Sequence, residues 1–183
     1  QFVSAANIAV GNLKFTPAAH GVGAGYASFT FQVQDDGGTP NGVDLDASPN
    51  TITVDVTSVN DAPAGTDKTV TTLEDSAYTF TAADFGFSDP NDSPANALSA
   101  VKITTLPGAG SLTNNGAALS AGQSVTLADI LAGYLQYAPA GDANGAGYAS
   151  FTFQVQDDGG TASGGVDTDA AARTMTINVT AVN

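Results

Sequence analysis

At 183 residues, 42% of them hydrophobic, the chain has material for one large or two small domains with a core in each. Its formal net charge of -14, with Lys14, Lys68, Lys102 and Arg173 as the permanent cations, argues against nucleic acid or an anionic membrane surface, which would repel it, and makes cations the natural partners. Without cysteine, disulfides and thiolate metal sites are excluded, and no apolar run approaches the roughly 18 to 20 residues of a membrane span.

The chain opens at Gln1 inside what reads as an interrupted repeat, with no signal-peptide pattern, and we expect a fragment of something longer. Ser4 and Asn7 hold cap positions of a weak helix that Gly11 stops. Residues 23–39 then return unchanged as residues 145–161, an offset of 122. Beyond them Val43-Asp44-Leu45-Asp46 corresponds to Val166-Asp167-Thr168-Asp169 at an offset of 123, so one residue is inserted between. Residues 1–60 are accordingly expected to be the second half of one repeat and residues 61–183 a complete one.

The seam is Val59-Asn60-Asp61-Ala62-Pro63, which closes the strand-like run of residues 51–57 and opens the next segment through a proline. Downstream, short alternating runs separated by turn residues predict an all-β sandwich of about seven strands. Tyr78 and Phe80 share a face, as do Val101 and Ile103, Leu135 and Tyr137, Phe151, Phe153 and Val155, and Met175, Ile177 and Val179. Thr152, Gln154, Thr176, Asn178 and Thr180 take the outer face. One short helix is predicted over residues 126–131, where Thr126 caps, Asp129 follows three residues later and Gly133 stops it.

Catalysis finds little support. His20 is the one histidine, and Asp142 stands at its place in the complete repeat, so a Ser/His/Asp triad could exist in one copy only. Paired carboxylates of glycosidase type can be drawn from so many acids, but tryptophan is absent and the aromatic residues have core roles available. Seventeen of the eighteen acids are Asp and one, Glu74, is Glu, a bias toward turns and oxygen-rich metal loops. Calcium takes six to eight oxygen ligands from carboxylates, carbonyls and water on loops that can wrap it. In a sandwich, alternate connections lie at alternate ends. The loop at residues 89–92 and the last hairpin should therefore meet Asn60 and Asp61, while Glu74 and Asp75 should meet residues 142–144 at the other end. Carboxylates so gathered would repel one another without a divalent cation. Each loop is also readable as an ordinary turn.

Val-Asn-Asp-Ala-Pro resembles the interdomain linker of cadherins and of the cadherin-like tandem repeats in very large secreted bacterial adhesins of the RTX type. The stretch Phe153-Gln154-Val155-Gln156-Asp157-Asp158-Gly159 is similar to their last-hairpin motif, and residues 127–137 resemble repeats shared with chondroitin sulfate proteoglycan-type proteins. The resemblance implies tandem Ig/cadherin-like antiparallel β-sandwich repeats with one short helix per repeat. It implies calcium (Ca2+) ligands at Asn60, Asp61, Asp89, Asn91, Asp92 and Asp157, a second group at Glu74 and Asp142, and Asp35 as the upstream counterpart of Asp157. Asn91 replaces the second acid of the family's Asp-x-Asp loop.

The function so implied is a calcium-stabilised structural spacer or adhesion repeat, not an enzyme, secreted or on the bacterial cell surface. Its partners would be neighbouring repeats, with other adhesin copies or surface glycans as further ones. The alternatives are a carbohydrate-binding or self-associating module, with Tyr26 or Tyr148 as first candidates for contact, and an accessory domain of an extracellular hydrolase.

Overall fold

The structure, a computed structural model, describes residues 1–40 and 42–183. The chain forms two compact units, Gln1–Ser58 and Val59–Asn183. In the first, helix α1 (Ala5–Ala9) begins where the Ser4 hydroxyl accepts the Asn7 N–H at 3.2 Å, and Gly11 leaves it at φ 75°. That capping is what the Ser4/Asn7 spacing predicts. Strand β1 (Gly23–Phe31) then pairs antiparallel with β2 (Asn50–Val56) as a two-stranded sheet.

The second unit contains β3 (Lys68–Leu73), β4 (Tyr78–Thr79), a 3-10 turn (Ala82–Phe85), β5 (Leu98–Ile103), β6 (Ser111–Asn114), β7 (Ala117–Ala118), β8 (Ser124–Thr126), α2 (Leu127–Leu131), β9 (Leu135–Ala138), β10 (Gly145–Asp157), a second 3-10 turn (Ala162–Gly164) and β11 (Arg173–Thr180). They make a five-stranded sheet in the order β3-β11-β10-β5-β8 and a four-stranded sheet in the order β4-β9-β6-β7. The nine strands exceed the expected seven because two-residue pieces count separately. One of these, β7, follows the Asn115-Gly116 turn, whose positive φ values of 50° and 75° suit a tight hairpin. The pairing is antiparallel apart from β3, which runs parallel to β11 with Lys68 opposite Met175 and Leu73 opposite Thr180. An all-antiparallel sandwich is therefore corrected at this one edge. The segment from Val59 crosses the end of the domain first and so enters β3 running the same way as β11.

Alternation does the rest. Phe151, Phe153, Val155, Met175, Ile177, Val179, Val101, Ile103, Leu135 and Tyr137 are buried as predicted, and Thr152, Gln154, Thr176 and Asn178 lie half-buried on the outer face. Phe80 meets Phe151 edge-on at 5.6 Å between ring centres, and Phe85 meets Phe153 at 5.0 Å. Such pairs add about 0.5–1.5 kcal/mol each beyond the area they bury. Phe85 reaches this cluster from the first 3-10 turn, which a reciprocal cap fixes: the Thr81 N–H and hydroxyl both donate to Asp84 at 2.9 Å, and the Asp84 N–H returns to Thr81. Helix α2 starts as predicted, with the Asp129 N–H donating to the Thr126 hydroxyl at 3.1 Å. The Asp129 carboxylate turns instead to the Asn114 amide at 2.9 Å.

Candidate metal centre

Where β10 ends, Asp157 lies opposite Leu98, the first residue of β5, so the last hairpin and the loop before β5 are drawn to one end of the sandwich. The Asp158 N–H donates to the Ala97 carbonyl at 3.0 Å and the Asp158 carboxylate accepts the Ala97 N–H at 2.8 Å, which clamps the two loops. Onto this clamp comes the entering chain. The Asn60 side-chain amide donates to Asp157 at 3.0 Å and to the carbonyls of Gly160 at 3.0 Å and Val166 at 2.9 Å. Its backbone carbonyl accepts the Val166 N–H at 2.9 Å. The Asp61 N–H donates to Asp92 at 2.9 Å.

Asn96 completes the set: its backbone N–H donates to Asp89 at 2.6 Å and its side-chain amide to the side-chain oxygen (Oδ1) of Asn60. Gly159 is required here because a Cβ would strike the side chains of both Asn96 and Asn60.

The sequence-predicted ligands Asn60, Asp61, Asp89, Asp92 and Asp157 thus come together at this end. Asn91 is in the same loop but exposed. Sequence reasoning missed Asn96 and Asp158, which hold the loops. The clusters of Asp and Asn flagged the region, but nothing in the spacing distinguished these two from turn residues.

Asp89 is 7% exposed and Asp157 2%, and one oxygen of each, Oδ1 of Asp89 and Oδ2 of Asp157, is buried without a hydrogen-bond partner. Burial pushes the Asp89 carboxyl above the ordinary carboxylate range; the Asn96 N–H works against this, and the negative charges of Asp92 and Asp157 add to it. Buried polar groups are normally satisfied, so two bare carboxylate oxygens at one end of a domain need an explanation. A hard cation fits their chemistry, with carbonyl oxygens and water completing its shell. Among the described residues no group of three or more His, Asp or Glu side chains is arranged to hold a metal ion, so amides, backbone and water would have to supply most of that shell.

The other sequence-predicted ligands fall elsewhere. Glu74 accepts the Asn144 amide at 3.1 Å and the Val182 N–H at 2.8 Å, and Asp75 accepts the Asp142 N–H at 3.4 Å. These residues occupy the opposite end, as the alternation of connections predicts. The thirteen residues of β10, at about 3.3 Å each, separate the two ends by roughly 40 Å. Asp142 is exposed and takes φ 58°, matching φ 56° at His20, its counterpart. Asp and His share a tolerance for this left-handed conformation, which accounts for the exchange without chemistry. Asp35, in the first unit, accepts the Gly37 N–H at 2.9 Å on an exposed loop. Of the two tyrosines considered for contact, Tyr148 packs against the core, and Tyr26 accepts the Ala18 N–H at 3.1 Å with its ring edge-on to Phe15.

Residues 60–180, most of the chain, match the bacterial Ig domain family. The chain belongs to that family. The match begins at Asn60, the residue through which the entering chain is tied to Asp157. Neither a curated protein nor a solved structure matches the chain. No helix among the described residues is long and apolar enough to cross a membrane.

Proposed function

We propose that this chain is a calcium-stabilised spacer segment of a large secreted or cell-surface bacterial adhesin, a structural repeat and not a catalyst. Membership of the bacterial Ig domain family supports the structural role, since such domains serve widely as repeats in surface proteins. The observation that carries the calcium reading is the pair of bare, buried carboxylate oxygens on Asp89 and Asp157, beside Asp92 and under Asn60. A divalent cation there offsets the repulsion and the lost hydration of both acids, and ties the segment from Val59 to Pro63 to the two loops. The Asn60 side-chain amide donates to Asp157 and the Asn96 backbone N–H to Asp89, so both acids already hold one hydrogen bond from this frame while their other oxygens are left for a cation.

Ligation stabilises the folded domain by mass action, as RT ln(1 + [L]/Kd), or about 2.7 kcal/mol at a hundredfold excess over Kd. Low calcium before export leaves the acidic loops repelling each other and the domain easier to unfold. Millimolar calcium outside then makes it rigid. Thermal unfolding in millimolar calcium and in excess chelator, at matched ionic strength, tests this. The midpoint of the Ig domain should rise by several degrees with calcium and not with sodium. An unchanged midpoint would sink the calcium reading.

A further inference from the structure

We propose that the parallel pair β3–β11 is a force-bearing clamp: tension along the chain is met by shear of this one ladder, which the Glu74 carboxylate staples at its far end. The proposal takes its setting from the spacer reading and does not need the cation.

The chain reaches the Ig domain at the Asn60 end, where β11 begins, and β3 and β11 then run the same way over six registered pairs, from Lys68 opposite Met175 to Leu73 opposite Thr180. Strand β11 therefore leaves the domain at the end opposite to the one where β3 enters. Tension between the segment before Asn60 and the segment after Thr180 pulls β3 back toward its entry and β11 on toward its exit. The strands are loaded along their length in opposite directions, so the bonds between them share the load and give way together. Were these two strands antiparallel, the same tension would part the pairs one at a time.

Further bonds extend the ladder at both ends. On the entry side the Gly65 N–H donates to Asp169 at 2.8 Å, the Thr66 N–H to the Phe85 carbonyl at 3.1 Å, and the Thr174 N–H to Asp67 at 2.7 Å. On the exit side the Glu74 N–H donates to the Thr180 carbonyl at 2.9 Å, and the Glu74 carboxylate accepts the Val182 N–H at 2.8 Å. Glu74 thus holds the chain beyond the last pair, where the downstream load arrives. The core resists sliding as well. Val70 is 5% exposed and lies opposite the buried Ile177, and a slip of β3 by one residue would turn it to the outer face.

In a parallel ladder the N–H groups of alternate residues on an edge strand face the neighbour. With the Glu74 N–H on Thr180, the Thr72 N–H also faces β11, whereas the Thr71 N–H faces the open edge of the sheet.

Single-molecule pulling tests this, and because the chain has no cysteine, cysteine handles can be placed at will in the full chain. Handles from Ser58→Cys and Asn183→Cys load the ladder in shear. Handles from Ser76→Cys and Asn183→Cys sit at the exit end and open it pair by pair. At one loading rate the first set should need about three to six times the force of the second, since six pairs give way together instead of singly. Thr72→Pro should bring the shear force down toward the peeling value, Thr71→Pro should leave it nearly unchanged, and Glu74→Ala should lower it by a smaller step. Equal forces in the two directions would overturn the proposal, and this comparison needs no altered residue in β3. So would a folded Thr72→Pro variant as strong as wild type, or a directional difference that vanishes in chelator. A difference that persists in chelator while calcium leaves the thermal midpoint unmoved would keep the clamp and sink the calcium reading alone.

Discussion

Residues 23–39 and 145–161 are the same seventeen-residue sequence in two environments, and they fold into the same local structure. In both, a Gln side chain reaches a carbonyl in the loop before the next strand: Gln32 to Asp46 at 2.7 Å and Gln154 to Asp169 at 2.7 Å. In both, the first Asp of the hairpin turns on itself to accept the N–H two residues on, at 2.9 Å in one and 2.8 Å in the other. Yet the buried core lies around one copy and not the other, and the buried carboxylate with one bare oxygen belongs to Asp157 while Asp35 stays exposed. Identical residues therefore give the same register and the same side-chain latches, but the strand runs nine residues in one copy and thirteen in the other, and a core and a charged site arise only where distant segments arrive. The lesson is that the strand carries half a site, and the loop before β5 and Asn60 carry the rest.

The two copies differ most in the core. Phe153→Ala should destabilise the Ig domain by about 3–5 kcal/mol, the usual cost of emptying a buried aromatic site. Phe31→Ala, at the same place in the first copy, should leave the main transition within about 0.5 kcal/mol of wild type. Chemical denaturation of both variants distinguishes them.

The acids come next. Asp157→Asn should abolish the calcium-dependent increment, about 2.7 kcal/mol at a hundredfold excess over Kd, and Asp35→Asn should leave it intact. Asp89→Asn should also abolish it, and the chelated state has a definite sign. Because the Asp89 carboxyl is raised, its contribution to stability is full below the ordinary carboxylate value and is lost as pH rises through the raised one. At pH 7 without metal the wild type bears that cost. Asp89→Asn in chelator should therefore melt at or above wild type while losing its response to calcium.

A smaller effect concerns Asp169. Burial opposes its ionisation, but the Arg173 guanidinium, at 2.8 Å, and the N–H groups of Gly65 and Ala171 outweigh it and hold the carboxyl below the ordinary range. The stability it contributes is present above the ordinary carboxylate value and is lost as pH falls through the lowered one. Arg173→Ala should cost about 1.5–3 kcal/mol at neutral pH and make acid unfolding begin at higher pH. In the first copy Asn50 takes the place of Arg173 and donates to Asp46 at 2.8 Å, a neutral version of the same contact. Smallest of all, Thr126→Ala should cost the Ig domain about 1 kcal/mol, the value of an N-cap, whereas Ser4→Ala should not move that transition.

Local features were legible in the sequence because short-range physics sets them. The period of two in residues 151–155 and 175–179 named the inner faces, and Thr126 and Ser4 named the helix starts. The convergence of Asn60, Asp61, Asp89, Asp92 and Asp157 was also legible, since it needs only strand number and alternating connections. What was not legible depends on long-range hydrogen bonds. Asn96 acts through the path of an irregular loop, Asp158 through a clamp onto Ala97, and Phe85 enters the core from a 3-10 turn whose Thr81/Asp84 cap resembles any Thr-x-x-Asp. The parallel edge of β3 follows from how the linker crosses the domain end, which no periodicity records.

Calorimetric titration of calcium into the chelator-treated chain, beside an Asp89→Asn/Asp157→Asn double variant, decides whether these two acids hold the ion. The wild type should bind calcium saturably, and the double variant should lose that binding while its fold persists. Absence of binding to the wild type, or binding undiminished in the double variant, would contradict it.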